Sequence, residues 1–296
     1  MYIATFFTFR PHRLAFLVHG RRLAVAPYKA NAKELDKLYK QRTKYLLDLL
    51  EGVRTQPSAE PIHDLRVTAR RLLTMLRVLP KSLRGSRKVR KYSLVLKSML
   101  KTTTQIRDFE ILEKILVSLE GALPAEILTG SKKKRSDAAL RAEEELKSIS
   151  VGTPSIGWAK IKNRKLSRKV NKRVEQNTQT VNTLLMQVTS DESKVDELHA
   201  LRKEIKKLRY LMELSQKPPT PALTSWQNLL GDVHDLDVTI GFLERVRYSP
   251  PLDGALNELR RRRRSEYLKF VRDWERGLGL PDGVLHPSRP PTFTTP

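Results

Sequence analysis

The sequence predicts an all-α protein made of two helical bundles, which an internal duplication relates by a pseudo-two-fold axis. Apolar residues recur at helical spacing along most of the chain, and no segment shows competing strand-like alternation. A basic stretch at residues 62–72 returns in variant form at residues 198–208. An acidic stretch around Asp108 returns around Asp235, in the same order relative to the basic stretch. This repeated order of residue types predicts one helical unit that occurs twice.

Five helices are expected in the first half of the chain, residues 34–150. The first spans 34–51 and stops at Gly52, and the second begins at Pro61 and stops at Pro80. A third spans 87–104, a fourth spans 106–120, and a fifth follows the polar segment 131–135 and ends near 147. Residues 1–33 contain no acidic residue and are expected to form a loosely ordered basic extension.

The second half is expected at residues 157–278, after a linker at residues 151–155 that contains Gly152 and Pro154. Its helices are predicted at 156–188, 195–216 and 252–277, and residues 226–238 resemble the acidic stretch of the first half. The Pro-rich residues 279–296 are predicted to be a disordered tail.

Composition restricts the class of partner. The chain of 296 residues has 57 Lys and Arg against 32 Asp and Glu, a formal net charge of +25. A folded protein with this excess usually has an anionic partner, which could be nucleic acid, a lipid surface or a polyphosphate. The absence of cysteine excludes disulfides and thiolate metal sites and fits a cytoplasmic location. No uninterrupted apolar run is long enough to cross a bilayer, so no membrane span is predicted.

The two basic stretches each predict a helix with a row of cations on one side. Positions i, i+3 and i+7 share a helix face, which aligns His63, Arg66 and Arg70 in the first copy. The corresponding residues of the second copy are His199, Arg202 and Lys206. The adjoining face of each helix is apolar, so each is expected to pack on a core and present its cations to a polyanion.

These paired motifs resemble those of the CHAD family, the conserved-histidine α-helical domain, over about residues 34–277. The resemblance is carried by His63-Asp64-Leu65-Arg66-Val67 with Arg70-Arg71-Leu72, by Ile106-Arg107-Asp108-Phe109-Glu110, by His199, Arg202 and Lys206-Lys207-Leu208-Arg209-Tyr210, and by Leu230-Gly231-Asp232-Val233-His234-Asp235-Leu236-Asp237-Val238. Two positions depart from the repeat, since Leu73 stands where the second copy has Arg209 and Thr104 where it has Gly231. The resemblance implies two pseudo-symmetric helical bundles around a basic central cleft or pore that binds inorganic polyphosphate.

Site residues are predicted on this basis. A polyphosphate chain has about one negative charge per phosphate and no bases to stack, so a row of guanidinium and ammonium groups suits it. The expected polyphosphate-binding residues are His63, Arg66, Arg70, Lys97, Lys101, Lys165, Lys169, Arg173, His199, Arg202, Lys206 and Arg209. Four acids, Asp108, Glu110, Asp235 and Asp237, are expected to pair with the motif arginines and orient them.

Other interpretations of these groups are open to test. The histidines could act as acid–base catalysts or metal ligands, and an Asp-x-Asp pair could hold a divalent ion. We expect neither, and predict a non-enzymatic binding protein with no metal and no cofactor. One alternative is a nucleic-acid-binding helical protein, although only 6% of residues are aromatic and no stacking platform is evident. Another is a scaffold that recruits a polyphosphate-metabolising enzyme or targets polyphosphate granules.

Overall fold

The computed structural model describes residues 28–55, 59–119, 123–215, 219–246 and 250–276, and it confirms the predicted all-α class. The helices of these residues are α1 (Ala32–Thr55), α2 (Ala59–Val78), α3 (Lys81–Arg84), α4 (Arg87–Thr102), α5 (Thr104–Val117), α6 (Ala125–Ser148), α7 (Asn163–Val188), α8 (Val195–Met212), α9 (Pro221–Leu243) and α10 (Pro250–Arg276), with a 3₁₀ turn at Trp158–Lys160. In the part of the chain that is described, no helix is both long and apolar enough to cross a bilayer. The predicted tail at 279–296 lies outside the described residues.

Local chemistry explains several helix ends. The Ser86 hydroxyl accepts a hydrogen bond from the Val89 N–H at the start of α4 (3.4 Å). Thr220 caps α9 in the same way, and Pro221 occupies the first turn, where a missing N–H costs nothing. Helix α4 stops at Thr103, whereas Gly231 lies inside the continuous α9. The departure at Thr104 therefore marks a helix break that the second half lacks.

Several helix boundaries were predicted wrongly. Gly52 does not end the first helix, because α1 continues through it to Thr55. The polar segment 131–135 does not precede the fifth helix but lies within α6, whose buried side is formed by Ser131, Ala138, Ala142 and Leu146. Helix α7 begins at Asn163 and not at 156, because Trp158 is fully buried in the preceding 3₁₀ turn. Its ring lies 6.0 Å from that of Tyr39, whose hydroxyl donates to the Pro154 carbonyl (2.9 Å).

The two halves share one hydrophobic core. Buried residues from every helix except the short α3 contribute to one large cluster, and a smaller cluster joins α5 to α9 and α10. The order of packing is similar in each half, since α2 contacts α1 and α4 while α8 contacts α7 and α9. The duplication itself remains a prediction.

The segment before α1 is tied to the second half of the chain. The N–H groups of Tyr28, Ala30 and Ala32 donate to side-chain oxygens on α7 at 2.9, 3.0 and 2.8 Å. The end of the expected loose extension is therefore an ordered segment at residues 28–31. Residues 1–27 lie outside the described part of the chain.

Candidate functional site

Helices α2 and α8 present the two predicted rows of cations. The apolar side of α2 is buried through Leu65, Ala69, Leu72 and Leu76, and that of α8 through Leu198, Leu201, Ile205, Leu208 and Met212. Burial of these sides holds each helix in one rotation about its axis. The adjoining sides carry His63, Arg66 and Arg70 on α2 and His199, Arg202 and Lys206 on α8, and we call these six residues the basic cluster.

Helices α2 and α8 are in contact, and charges of the two rows act on one another. Burial, the charge of Arg202 and the charge of Arg70 lower the pKa of Lys206 to about 7. The pKa of Arg202 is also lowered, first by burial, and Arg70 acts in the same direction. Because Arg70 belongs to α2 and the other two residues to α8, cations from both helices occupy one region. An anion placed there would interact with both rows.

Arg66 has a structural role that the sequence did not reveal. Its side chain is buried, with 8% of the residue exposed, and its Nη1 donates to the carbonyl of Leu100 (2.7 Å) and the hydroxyls of Thr103 (2.8 Å) and Thr104 (3.3 Å). These groups lie at the C-terminal end of α4, where carbonyls lack helical partners. Burial, followed by the charge of Arg70, lowers the pKa of Arg66 to about 10.

Its counterpart Arg202 has fewer partners. The nearest carboxylate contact joins its Nη2 to Asp235 Oδ1 at 3.8 Å. Its buried Nε donates to no acceptor among the described residues, and the same holds for the Nε of Arg209. Gly231 packs beside the Arg202 guanidinium, since a Cβ added at that glycine would lie 3.8 Å from Nε. Two buried guanidinium donors thus lack an acceptor among the described residues, whereas a buried N–H normally has one.

The histidines sit in different surroundings. His63 is exposed, yet partial desolvation and the charge of Arg107 lower its pKa. On α8 the Nε2 of His199 lies 3.1 Å from Asp237 Oδ2, and its ring centroid is 4.5 Å from that of His234. The Nδ1 of His234 is in turn 3.0 Å from Asp235 Oδ1. His199 is therefore held by a carboxylate, while His63 faces solvent.

The four predicted acids differ in what they contact. Asp237 lies between His199 and Arg263, whose Nε donates to it at 2.8 Å, and these bonds outweigh burial and lower the pKa of Asp237. Asp235 contacts Arg202 and His234 as described above. Glu110 pairs with Arg107 (3.2 Å) and not with a residue of the basic cluster. Burial raises the pKa of Asp108, against the opposing charge of Arg66.

A second network surrounds Glu213 at the end of α8. Its carboxylate lies 3.0 Å from the Nη2 of Arg42 on α1 and 2.9 Å from the Nε of Arg71 on α2. The guanidinium of Arg71 is also 5.9 Å from the ring of Tyr210, and that of Arg209 is 5.4 Å from the same ring. This network locks three helices together. Sequence reasoning did not find it, because its members lie in opposite halves of the chain.

The remaining predicted cations lie further out. Lys97, Lys101 and Lys165 are exposed on α4 and α7, and Lys169 is partly buried. Within the described residues, no ion pair or hydrogen bond joins them to the basic cluster. Arg173 lines a separate pocket between α2, α7 and α8. The described residues contain no group of three or more His, Asp or Glu side chains that could hold a metal ion.

Comparison with known proteins gives a family and a fold. The model of the CHAD domain matches residues 37–244, which is most of the chain. Among solved structures, PptA from Streptomyces chartreusis is similar, with a TM-score of 0.55 and 18% sequence identity. That alignment covers 84% of this chain and 99% of the other. Because only 18% of the aligned residues are identical, the likeness concerns the fold. No curated protein matches the chain in sequence.

Proposed function

This chain belongs to the CHAD domain family, and we propose that it binds inorganic polyphosphate at the basic cluster between α2 and α8, without catalysing a reaction. The proposal rests on one observation, that cations from α2 and α8 lie close enough to lower each other's pKa. Beside them, the buried Nε groups of Arg202 and Arg209 have no acceptor in the described residues. A buried cation cluster is unfavourable by itself and becomes favourable when an anion neutralises it.

The chemistry of polyphosphate fits this site. A polyphosphate chain offers closely spaced oxyanions and nothing that needs base-specific recognition, so planar guanidinium groups can bind it in a bidentate way. From its first to its last residue each row spans about 10 Å, at a rise of about 1.5 Å per residue, which is enough for several phosphates. The carboxylates of Asp235 and Asp237 contact Arg202, His199 and Arg263, which supports a role in orienting cations.

The direct test is charge reversal within the basic cluster. Arg70→Glu combined with Arg202→Glu removes one cation from each row, and we expect the affinity for long-chain polyphosphate to fall by at least about 10²-fold, from about 1.5–3 kcal/mol per charge-assisted bond. Arg66 is a poorer probe because it also holds the end of α4. The matched control is Lys132→Glu with Lys133→Glu, two exposed residues of α6 that change the net charge equally.

Binding is measured by fluorescence anisotropy at physiological salt, with duplex DNA as competitor. Equal losses in both double variants would show that only net charge matters and would contradict the proposed site. Preference for DNA over polyphosphate would favour the nucleic-acid interpretation. A net charge of +25 attracts any phosphate backbone, so some affinity for DNA is expected in either case.

We further propose that such binding directs the protein to polyphosphate granules in the cytoplasm, where it could bring a polyphosphate-metabolising enzyme to its substrate. A fluorescent fusion should co-localise with granules, and the Arg70→Glu, Arg202→Glu variant should be diffuse. Incubation of the purified protein with polyphosphate, followed by gel analysis of chain length, should show no shortening.

A further inference from the structure

A pocket of about 350 Å³ lies between α2, α7 and α8, and none of the residues that line it belongs to the basic cluster. Its lining includes Thr74 and Arg77 from α2, Arg173 and Asn177 from α7, and Glu204 and Lys207 from α8. One lining residue, Thr74, lies one helical turn beyond Arg70 on α2, and its hydroxyl donates to the Arg70 carbonyl at 2.9 Å. A ligand lying along the basic cluster could therefore extend into the pocket.

Asn177 provides an unused acceptor in this pocket. The residue is 7% exposed, and its Nδ2 donates to Glu204 Oε2 at 2.5 Å. This bond sets the orientation of the amide, because a flipped amide would place its oxygen against the carboxylate. The other amide atom, Oδ1, is buried and receives no hydrogen bond from any described residue. A ligand that fits here should bring an O–H or N–H donor.

Three cations line the same pocket as Asn177. Arg77, Arg173 and Lys207 line the pocket, and the ammonium of Lys207 also contacts Glu204. The pocket therefore favours an anion that also carries a hydrogen-bond donor. Phosphates inside a polyphosphate chain have no O–H near neutral pH, whereas a terminal phosphate has a second ionisation near a pKa of about 6 and keeps an O–H below it.

The corresponding position in the other half contains a carboxylate that pairs with two arginines. The offset that relates His63 to His199 also relates Arg77 to Glu213 and Arg71 to Lys207. Glu213 pairs with Arg71 at 2.9 Å and with Arg42 at 3.0 Å, so one carboxylate there faces two cations. Arg77 and Lys207 have the same charge and cannot pair in this way. The pocket holds three cations against the single carboxylate of Glu204, so its excess of positive charge is larger by one.

We propose that this pocket binds the terminal phosphate of a polyphosphate chain, with the following phosphates lying along the basic cluster. The inference rests on the proposed function and adds recognition of the chain end to it. The terminal P–O–H donates to Asn177 Oδ1, and the terminal oxyanions contact Arg77, Arg173 and Lys207. No covalent step is involved.

The test compares anions with and without ends at a pH of about 6. Linear tetraphosphate and cyclic hexametaphosphate have the same formal charge when fully ionised, but the cyclic anion has no terminal phosphate. We expect the wild-type chain to prefer the linear anion by about fivefold, the value of about one hydrogen bond. Arg77→Gln with Arg173→Gln should abolish this preference, and so should Asn177→Leu, which leaves the charge unchanged.

The control is Lys132→Gln with Lys133→Gln on α6, which should keep the preference. The inference is overturned if the wild-type chain does not distinguish the two anions, or if the control loses the preference as well. Orthophosphate binding as tightly as tetraphosphate would also overturn it, because the ligand would then be free phosphate. Long-chain polyphosphate is titrated in parallel: failure there refutes the proposed function, whereas long-chain binding without end preference refutes only this inference.

Discussion

Lys206 should make polyphosphate binding depend on pH above neutrality. In the free protein, burial and the charges of Arg202 and Arg70 lower its pKa to about 7. A polyphosphate bound beside it would favour the charged ammonium and raise this pKa toward its ordinary range. The complex then holds more protons than the free protein, so affinity is fully present below pH 7 and falls as pH rises toward the pKa in the complex.

The size of the effect follows from the pKa difference. One pKa unit corresponds to about 1.36 kcal/mol, so affinity falls by at most about tenfold per pH unit and about 10²-fold between pH 7 and 9. Two other groups of the cluster have a pKa outside this window in the free protein. The pKa of His63 is lowered from 6.5, and that of Arg66 lies at about 10. Long polyphosphate chains are used, so that the titration of their terminal phosphates contributes little to the pH dependence of the affinity.

The assay is a series of anisotropy titrations at constant ionic strength from pH 6 to 9. Lys206→Arg keeps a cation at this position through the whole range, so its affinity should change little above pH 7. Lys133→Arg, at an exposed position on α6, should retain the wild-type decline. If Lys206→Arg and the wild-type chain lose affinity equally between pH 7 and 9, the reasoning about Lys206 is refuted.

Three further predictions concern the stability of the ligand-free fold, measured by urea unfolding. Arg66→Met should cost about 1–3 kcal/mol, because it removes three hydrogen bonds at the end of α4, whereas an equal cost for Arg70→Met would contradict this role. Lys206→Met should stabilise the fold by on the order of 2 kcal/mol below pH 7, because it removes a charge that is unfavourably buried. This gain should shrink toward pH 10, where the wild-type lysine is neutral, and a loss of stability would contradict the unfavourable burial. Glu213→Gln should cost about 3–5 kcal/mol, because Arg42 and Arg71 lose their shared carboxylate, and a neutral result would mean that solvent replaces it.

Local pattern was sufficient for the helices and for the two cation rows. The period of α2 and α8 is visible in the sequence, and the same apolar residues that predicted the buried sides are buried. Local pattern did not include the ion pair of Arg263 with Asp237 at 2.8 Å, because the two residues lie on different helices. Local pattern failed at residues 156–162, where the burial of Trp158 against α1 delays the start of α7 to Asn163. That contact is invisible to local spacing.

The sequence by itself determined the all-helical class, the order of the motifs and the side of each helix that carries cations, because helical period is a property of neighbouring residues. Only the tertiary structure decided which cations a ligand can reach. Arg66 and Arg202 occupy equivalent positions, yet Arg66 bonds to the end of α4 while Arg202 keeps a buried donor free of any acceptor in the described residues. That difference arises from the helix break at Thr103 and the small Gly231, whose consequences appear only when distant helices pack together.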